Sequence, residues 1–87
     1  MLSIKNPKID YDSTYDVLYV RLNDSTNVYG DEEPDNLVFF RDRDTDEFVG
    51  ITIMDYLHML KTGDSRLSSV PANIDLSAIN KSLNLRA

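Results

Sequence analysis

The chain has 87 residues, a formal net charge of -6 and no cysteine. That length supports one domain with a modest core, the 41% hydrophobic content is that of a folding chain, and without cysteine there are no disulfides or thiolate metal sites. The acidity opposes direct binding to a phosphate backbone, and no apolar run approaches the ~18 residues of a membrane span.

Residues 8–12, Lys-Ile-Asp-Tyr-Asp, predict a short strand with Ile9 and Tyr11 on one side and Asp10 and Asp12 on the other. Asp12-Ser13-Thr14-Tyr15-Asp16 reads as a turn, rich in residues that bond nearby backbone. A second strand covers about 16–22, with Leu18, Val20 and Leu22 on one face and Val17, Tyr19 and Arg21 on the other. Both faces are largely apolar, so the second needs a cover. Residues 23–27 end the strand, and 28–35, with Gly30, Pro34 and four acids, reads as a loop or an exposed edge.

Residues 36–42 predict a third strand, 42–46 a turn, and 47–54 a fourth strand with Val49, Ile51 and Ile53 on one face. Gly50 inside that strand signals a bulge or a close backbone approach. Asp55 is placed to cap a helix over about 55–61, in which Leu57 and Leu60 stand three apart and Gly63 follows the end. Residues 63–73 read as a loop, and Asp75 caps a second helix over about 75–83 with Leu76, Ile79 and Leu83 on one face. Short turns between consecutive strands predict an antiparallel meander. The expected fold is α+β: a four-stranded antiparallel meander over about 8–54, followed by two short C-terminal helices packed on one face, in a single domain spanning 1–87.

The face opposite those helices is expected to carry Val17, Tyr19, Arg21, Phe48, Thr52 and Met54. Phe39 and Phe40 are adjacent, so each face receives one aromatic. A half-apolar sheet face of this kind marks an interface with a second copy or a partner chain; the alternative is coverage by the 23–35 segment.

The order of a Tyr11-Asp12 turn, then Asp16-Val17-Leu18-Tyr19-Val20-Arg21-Leu22, a third strand, and Phe48-Val49-Gly50-Ile51-x-Ile53-x-Asp55 resembles domain-of-unknown-function family 2283 over about residues 8–61. The resemblance implies a small soluble α+β fold of bacterial or phage type and brings no catalytic residues with it. Its members' frequent neighbourhood with small proteins of toxin–antitoxin or mobile-element character implies an interaction role. The acidic 28–36 segment is longer and more charged than the family pattern, and the tail from Thr62 lies beyond it.

Other constellations read as structure. Asp42-Arg43-Asp44-Thr45-Asp46 copies the start of a calcium loop, but position six is Glu47 rather than Gly and position twelve is Ile53 rather than Glu. Asp10, Asp12 and Asp16 cluster at the first turn, where Asp is common, and they would serve acid–base chemistry only if desolvated. His58 is the sole histidine and has no metal or nucleophile partner in the sequence. No catalytic residue, metal or cofactor is expected.

The leading expectation is a non-enzymatic, cytoplasmic, acidic interaction module, antitoxin-like in its most concrete form, working as a homodimer or on a small basic protein. Tyr19, Arg21, Phe48 and Thr52 would supply the contact face, and Asp31, Glu32, Glu33 and Asp35 would steer the encounter. The alternatives are a phosphate mimic that inhibits a nucleic-acid-binding protein, which needs acids in rows, and a small enzyme using Asp10, Asp12 or Asp16 with Tyr11. The N-terminal MLSIKNPKID lacks the apolar core of a signal peptide, which favours the cytoplasm.

Overall fold

Aspartates punctuate the strands of this computed structural model, which describes residues 8–85. Strands β1 (Lys8–Asp12) and β2 (Val17–Arg21) form an antiparallel hairpin. In its turn, Asp12 Oδ1 accepts the N–H groups of Thr14 (2.9 Å) and Tyr15 (3.3 Å), and Asp16 takes a left-handed conformation at φ 57°. The same device joins β4 (Leu37–Asp42) to β5 (Phe48–Met54). There Asp42 Oδ1 accepts from Asp44 (2.8 Å) and Thr45 (3.1 Å), and Asp46 sits at φ 62°. Asp suits both places, because its short side chain can bond the turn amides and it tolerates the left-handed region.

The sheet has five antiparallel strands in the order β1-β2-β5-β4-β3, where β3 spans Val28–Glu32. This corrects the four-stranded meander in two respects. The acidic 28–35 segment contains an edge strand that pairs with β4, Tyr29 facing Arg41 and Asp31 facing Phe39. The chain also does not proceed from β2 to a neighbour. It crosses the end of the sheet to the far edge and returns through β4, so that the most apolar strand, β5, lies in the centre against β2. Residues 22–27 make that crossing: Leu22 N–H bonds Val49 O, Ser25 Oγ donates to Asp42 Oδ2, and Arg43 N–H bonds Asn27 O.

Three helical pieces follow: α1 (Tyr56–Thr62), a 3-10 turn (Ser65–Ser69) in what the sequence presents as a loop, and α2 (Leu76–Leu83). All three bear on one sheet face. Leu18, Val20, Leu37, Ile51 and Ile53 meet Tyr56, Met59, Ile74 and Ile79, each at most 7% exposed, with Leu60, Leu67, Val70, Leu76 and Leu83 packed around them. Each such fully buried aliphatic side chain contributes roughly 1.5–3 kcal/mol. In α1 the buried stripe is Tyr56 and Met59, with Leu60 packed beside it, rather than Leu57 and Leu60. Gly63, at φ 67°, ends α1, and the Asp75 side chain caps α2 through Ala78 N–H at 3.1 Å, both as their positions predict. Arg66 grips Asp64 through Nε (3.0 Å) and Nη2 (2.8 Å) and donates from Nη1 to Asp35 O (3.3 Å), tying the 3-10 turn to the β3–β4 connection.

The register between β4 and β5 shifts by one residue, from Phe40 opposite Gly50 to Arg41 opposite Phe48. Val49 therefore has no partner on β4, and the alternation of sides slips at this bulge. The Phe48 ring consequently joins the helix-side core, 5.9 Å from the Phe39 ring, and leaves the open face on which simple alternation placed it. Gly50 meets the other expectation at this point: a Cβ there would lie 2.6 Å from Val20 O and 2.9 Å from Arg21 Cδ. Because the nearer obstacle is backbone, Gly50→Ala is expected to lower stability by about 1–3 kcal/mol. A urea titration would read it as a lower midpoint at an unchanged slope.

Candidate functional site

Among the described residues, the helices pack on one sheet face and none of them on the other. Pairing register lays out its rows. One runs Asp10, Tyr19, Thr52, Val38, Glu32; the next runs Lys8, Arg21, Gly50, Phe40, Gly30; Val17 and Met54 begin a third. Tyr19 is 42% exposed, while Val17, Val38, Phe40, Thr52 and Met54 are half-buried. The two glycines make room for large neighbours. Phe40 and Val38 lean over Gly30, where a Cβ would sit 3.0 Å and 2.9 Å from them, and Arg21 lies across Gly50. The Arg21 guanidinium then reaches Ser25 O, at the place where residues 22–27 cross the sheet end. That crossing closes over the Arg21 end of the face, where Arg21 Nε is buried, and leaves Tyr19 open to solvent.

Of the expected contact residues, Tyr19, Arg21 and Thr52 stand together on this face, and Phe48 does not. Val38 and Phe40 take its place. Alternation along Leu37-Val38-Phe39-Phe40 already separates Val38 and Phe40 from the core pair Leu37 and Phe39, so the signal was in the sequence. The expected acidic residues lie at one side of the face. Asp31 and Glu32 are on β3 with side chains on opposite faces, Glu33 and Asp35 follow, and all four are exposed. Glu32 Oε2 also accepts the N–H of Asn36 at 3.0 Å, closing the β3–β4 turn.

The remaining carboxylates have structural duties. Asp55 does not cap α1: it is itself left-handed, at φ 58°, and its side chain makes no capping bond. The cap comes from the first hairpin. Asp16 Oδ1 accepts Leu57 N–H at 2.7 Å, Oδ2 accepts His58 N–H at 3.1 Å, and the Asp16 carbonyl accepts Tyr56 N–H at 3.0 Å. Tyr11 Oη donates to the same Oδ1 at 2.7 Å. Partial burial pulls the Asp16 carboxyl upward, but the bonds from Leu57, Tyr11 and His58 outweigh it and hold the group below its ordinary value. Tyr11 moves the other way, to about 12, through burial first and then its bond to a carboxylate. Asp42 is likewise held low, by Ser25 first and then by the turn amides of Asp44 and Thr45. No group of three or more Asp, Glu or His side chains suited to a metal ion gathers among the described residues.

An apolar cavity of about 250 Å³ opens between β1, β2 and α2, lined chiefly by Ile9, Val20, Ile74 and Ile79. None of Asp10, Asp12 and Asp16 lines it, and its one carboxylate, Asp75, is the cap of α2. No helix among the described residues is long and apolar enough to cross a membrane.

The profile of the family described as protein of unknown function (DUF2283) matches residues 8–56, more than half of the chain. The chain belongs to that family. No curated protein and no solved structure matches it. The matched span of DUF2283 runs from β1 to the first residue of α1, so it takes in Tyr11, Asp16 and the three amides that Asp16 reaches lie at or just beyond its end. The 3-10 turn and α2 lie outside it.

The Tyr11–Asp16–α1 linkage has a pH signature at both ends. Asp16, lowered in the fold, stabilises the protein above its unfolded value near 3.8, and that contribution disappears as pH falls below it. Tyr11, raised in the fold, contributes fully below 10, and the contribution is lost as pH rises from 10 through about 12. Asp16→Asn, which keeps an amide that tolerates the left-handed backbone, is expected to cost about 1 kcal/mol at neutral pH and to flatten the acid limb. Tyr11→Phe is expected to flatten the alkaline limb. Denaturant midpoints measured across pH would read both.

Proposed function

We propose that the chain is a non-catalytic interaction module whose uncovered sheet face binds a basic protein. The observation that carries this reading is the face itself: Val17, Tyr19, Val38, Phe40, Thr52 and Met54 form one apolar surface, with Tyr19 at its most exposed point. Sheets of this size bury one face and solvate the other; a second apolar face is the usual mark of a partner. The charge of -6 gives that partner its sign. Acids at the rim raise the rate of encounter, while the apolar centre holds the complex. Neutralisation of the bound protein, in the manner of an antitoxin, is the concrete form of this role. Of the residues an acid–base reading would use, Asp12 and Asp16 are already committed to backbone amides and Tyr11 donates to Asp16, which supports the interaction reading.

The test is capture of a binding protein from the source cell, followed by reconstitution from the two purified chains. Calorimetry should give a stoichiometric complex that weakens about tenfold with Tyr19→Ala, as a central aromatic contact does. Raising the salt should slow association more than it speeds dissociation. Equal affinity for the wild type and Tyr19→Ala, with circular dichroism unchanged, would remove this face from the account.

A further inference from the structure

The edge strand β3 has a polarity that the open face alone does not explain. Arg43 N–H bonds Asn27 O, one step beyond the Val28–Asp42 pair, which sets the hydrogen-bonding phase of the β3–β4 ladder. Antiparallel pairs alternate. Tyr29–Arg41 and Asp31–Phe39 are therefore bonded pairs too, and the N–H and C=O groups of Val28, Gly30 and Glu32 point outward from the sheet. Nothing lies beyond β3 in the strand order, and no described residue supplies those groups with a hydrogen bond. Tyr29 through Glu33 are all exposed.

Natural sheets protect such edges with lysine, proline, bulges or a covering loop. β3 has no lysine and its register against β4 is regular over all five pairs, so the charges it presents are the acids Asp31 and Glu32. Its acids gather at one end. Asp31, Glu32, Glu33 and Asp35 lie there, and at the other end Tyr29 donates its hydroxyl to Asp46 and has Arg43 5.9 Å from its ring centre. An added strand would find acids beside its residues at the Glu32 end and an aromatic place of mixed charge at the Tyr29 end.

We propose that the outer edge of β3 accepts an extended segment of the basic partner as a sixth strand, with lysine or arginine side chains alongside Asp31, Glu32 and Glu33. The assignment rests on the interaction reading above and gives it a binding mode: backbone pairing supplies affinity and the alternating side chains supply specificity. Charge favours this occupant over a second copy of the chain, since each copy carries -6. The sixth strand would also continue the open face beyond Gly30 and Glu32, so edge and face would serve one partner.

The probe is a synthetic eight-residue peptide alternating lysine and valine, with a glutamate–valine peptide as control, added to the full chain and followed by NMR hydrogen exchange. The expected result is about tenfold slower exchange at Val28, Gly30 and Glu32 with the lysine peptide, no change at the already bonded Tyr29 and Asp31, and no effect of the glutamate peptide. Unchanged exchange at the three amides under saturating peptide overturns the proposal. Equal protection by both peptides overturns it as well, because charge would not select the strand. Protection that grows with protein concentration alone would assign the edge to a second copy instead. Shifts confined to Tyr19 and Thr52 would overturn the edge site and leave the open face standing, whereas edge protection that survives Tyr19→Ala beside an unaffected complex would do the reverse.

Discussion

One carboxylate holds the sheet to its helices. Asp16 lies at the tip of the first hairpin, yet its oxygens and its carbonyl satisfy three consecutive amides at the start of α1. Those amides have no partners inside the helix, and Asp55, next to them in sequence, leaves its side chain out of the cap. A helix of seven residues is too short to persist on its own propensity. It exists because Asp16 closes its first turn and because Tyr56 and Met59 enter the core beneath it. Tyr11 completes the arrangement by donating to the same oxygen, so that β1, the turn, and α1 share one hydrogen-bonded centre.

From that anchor the two sheet faces acquire different characters. The helix side is closed by aliphatic residues of central strands and by Tyr56, whose hydroxyl is bonded to Asn80 of α2. The other side is built from the alternate residues of the same strands, so it cannot be made fully polar without disturbing their β-forming character. Gly30 and Gly50 let Phe40 and Arg21 lie flat against it, and the bulge at Val49 withdraws Phe48. The outcome is a smooth apolar surface bounded by charge, with an edge strand of open backbone at one side.

Much of this was legible in the chain. Alternation at Leu18, Val20, Ile51 and Ile53 located the core, and Asp75 and Gly63 located helix ends, because these signals are local. The family pattern around Tyr11 and Asp16 was visible too, though not its meaning, since the amides that Asp16 serves lie some forty residues away. Three features were hidden for physical reasons. β3 has only Val28 and Tyr29 as strand formers, and it exists through its pairing with β4. The strand order depends on competition among strands for the central place. Phe48 changed sides because a bulge is an inserted residue, and alternation counted from the sequence takes no account of insertions.

The placement of β5 between β2 and β4 carries a consequence for how the molecule is made. Strands β3, β4 and β5 close through neighbouring turns, but β2 must wait for a strand that ends at Met54 before Leu18 and Val20 find Ile53 and Ile51. On the ribosome the first hairpin emerges well before its partner. Its apolar side stays unpaired through that interval, and non-local pairing of this kind is the slow part of folding. The acids of the first half of the chain, from Asp10 to Asp35, then keep the nascent segment charged and apart from its copies while the centre of the sheet is still missing.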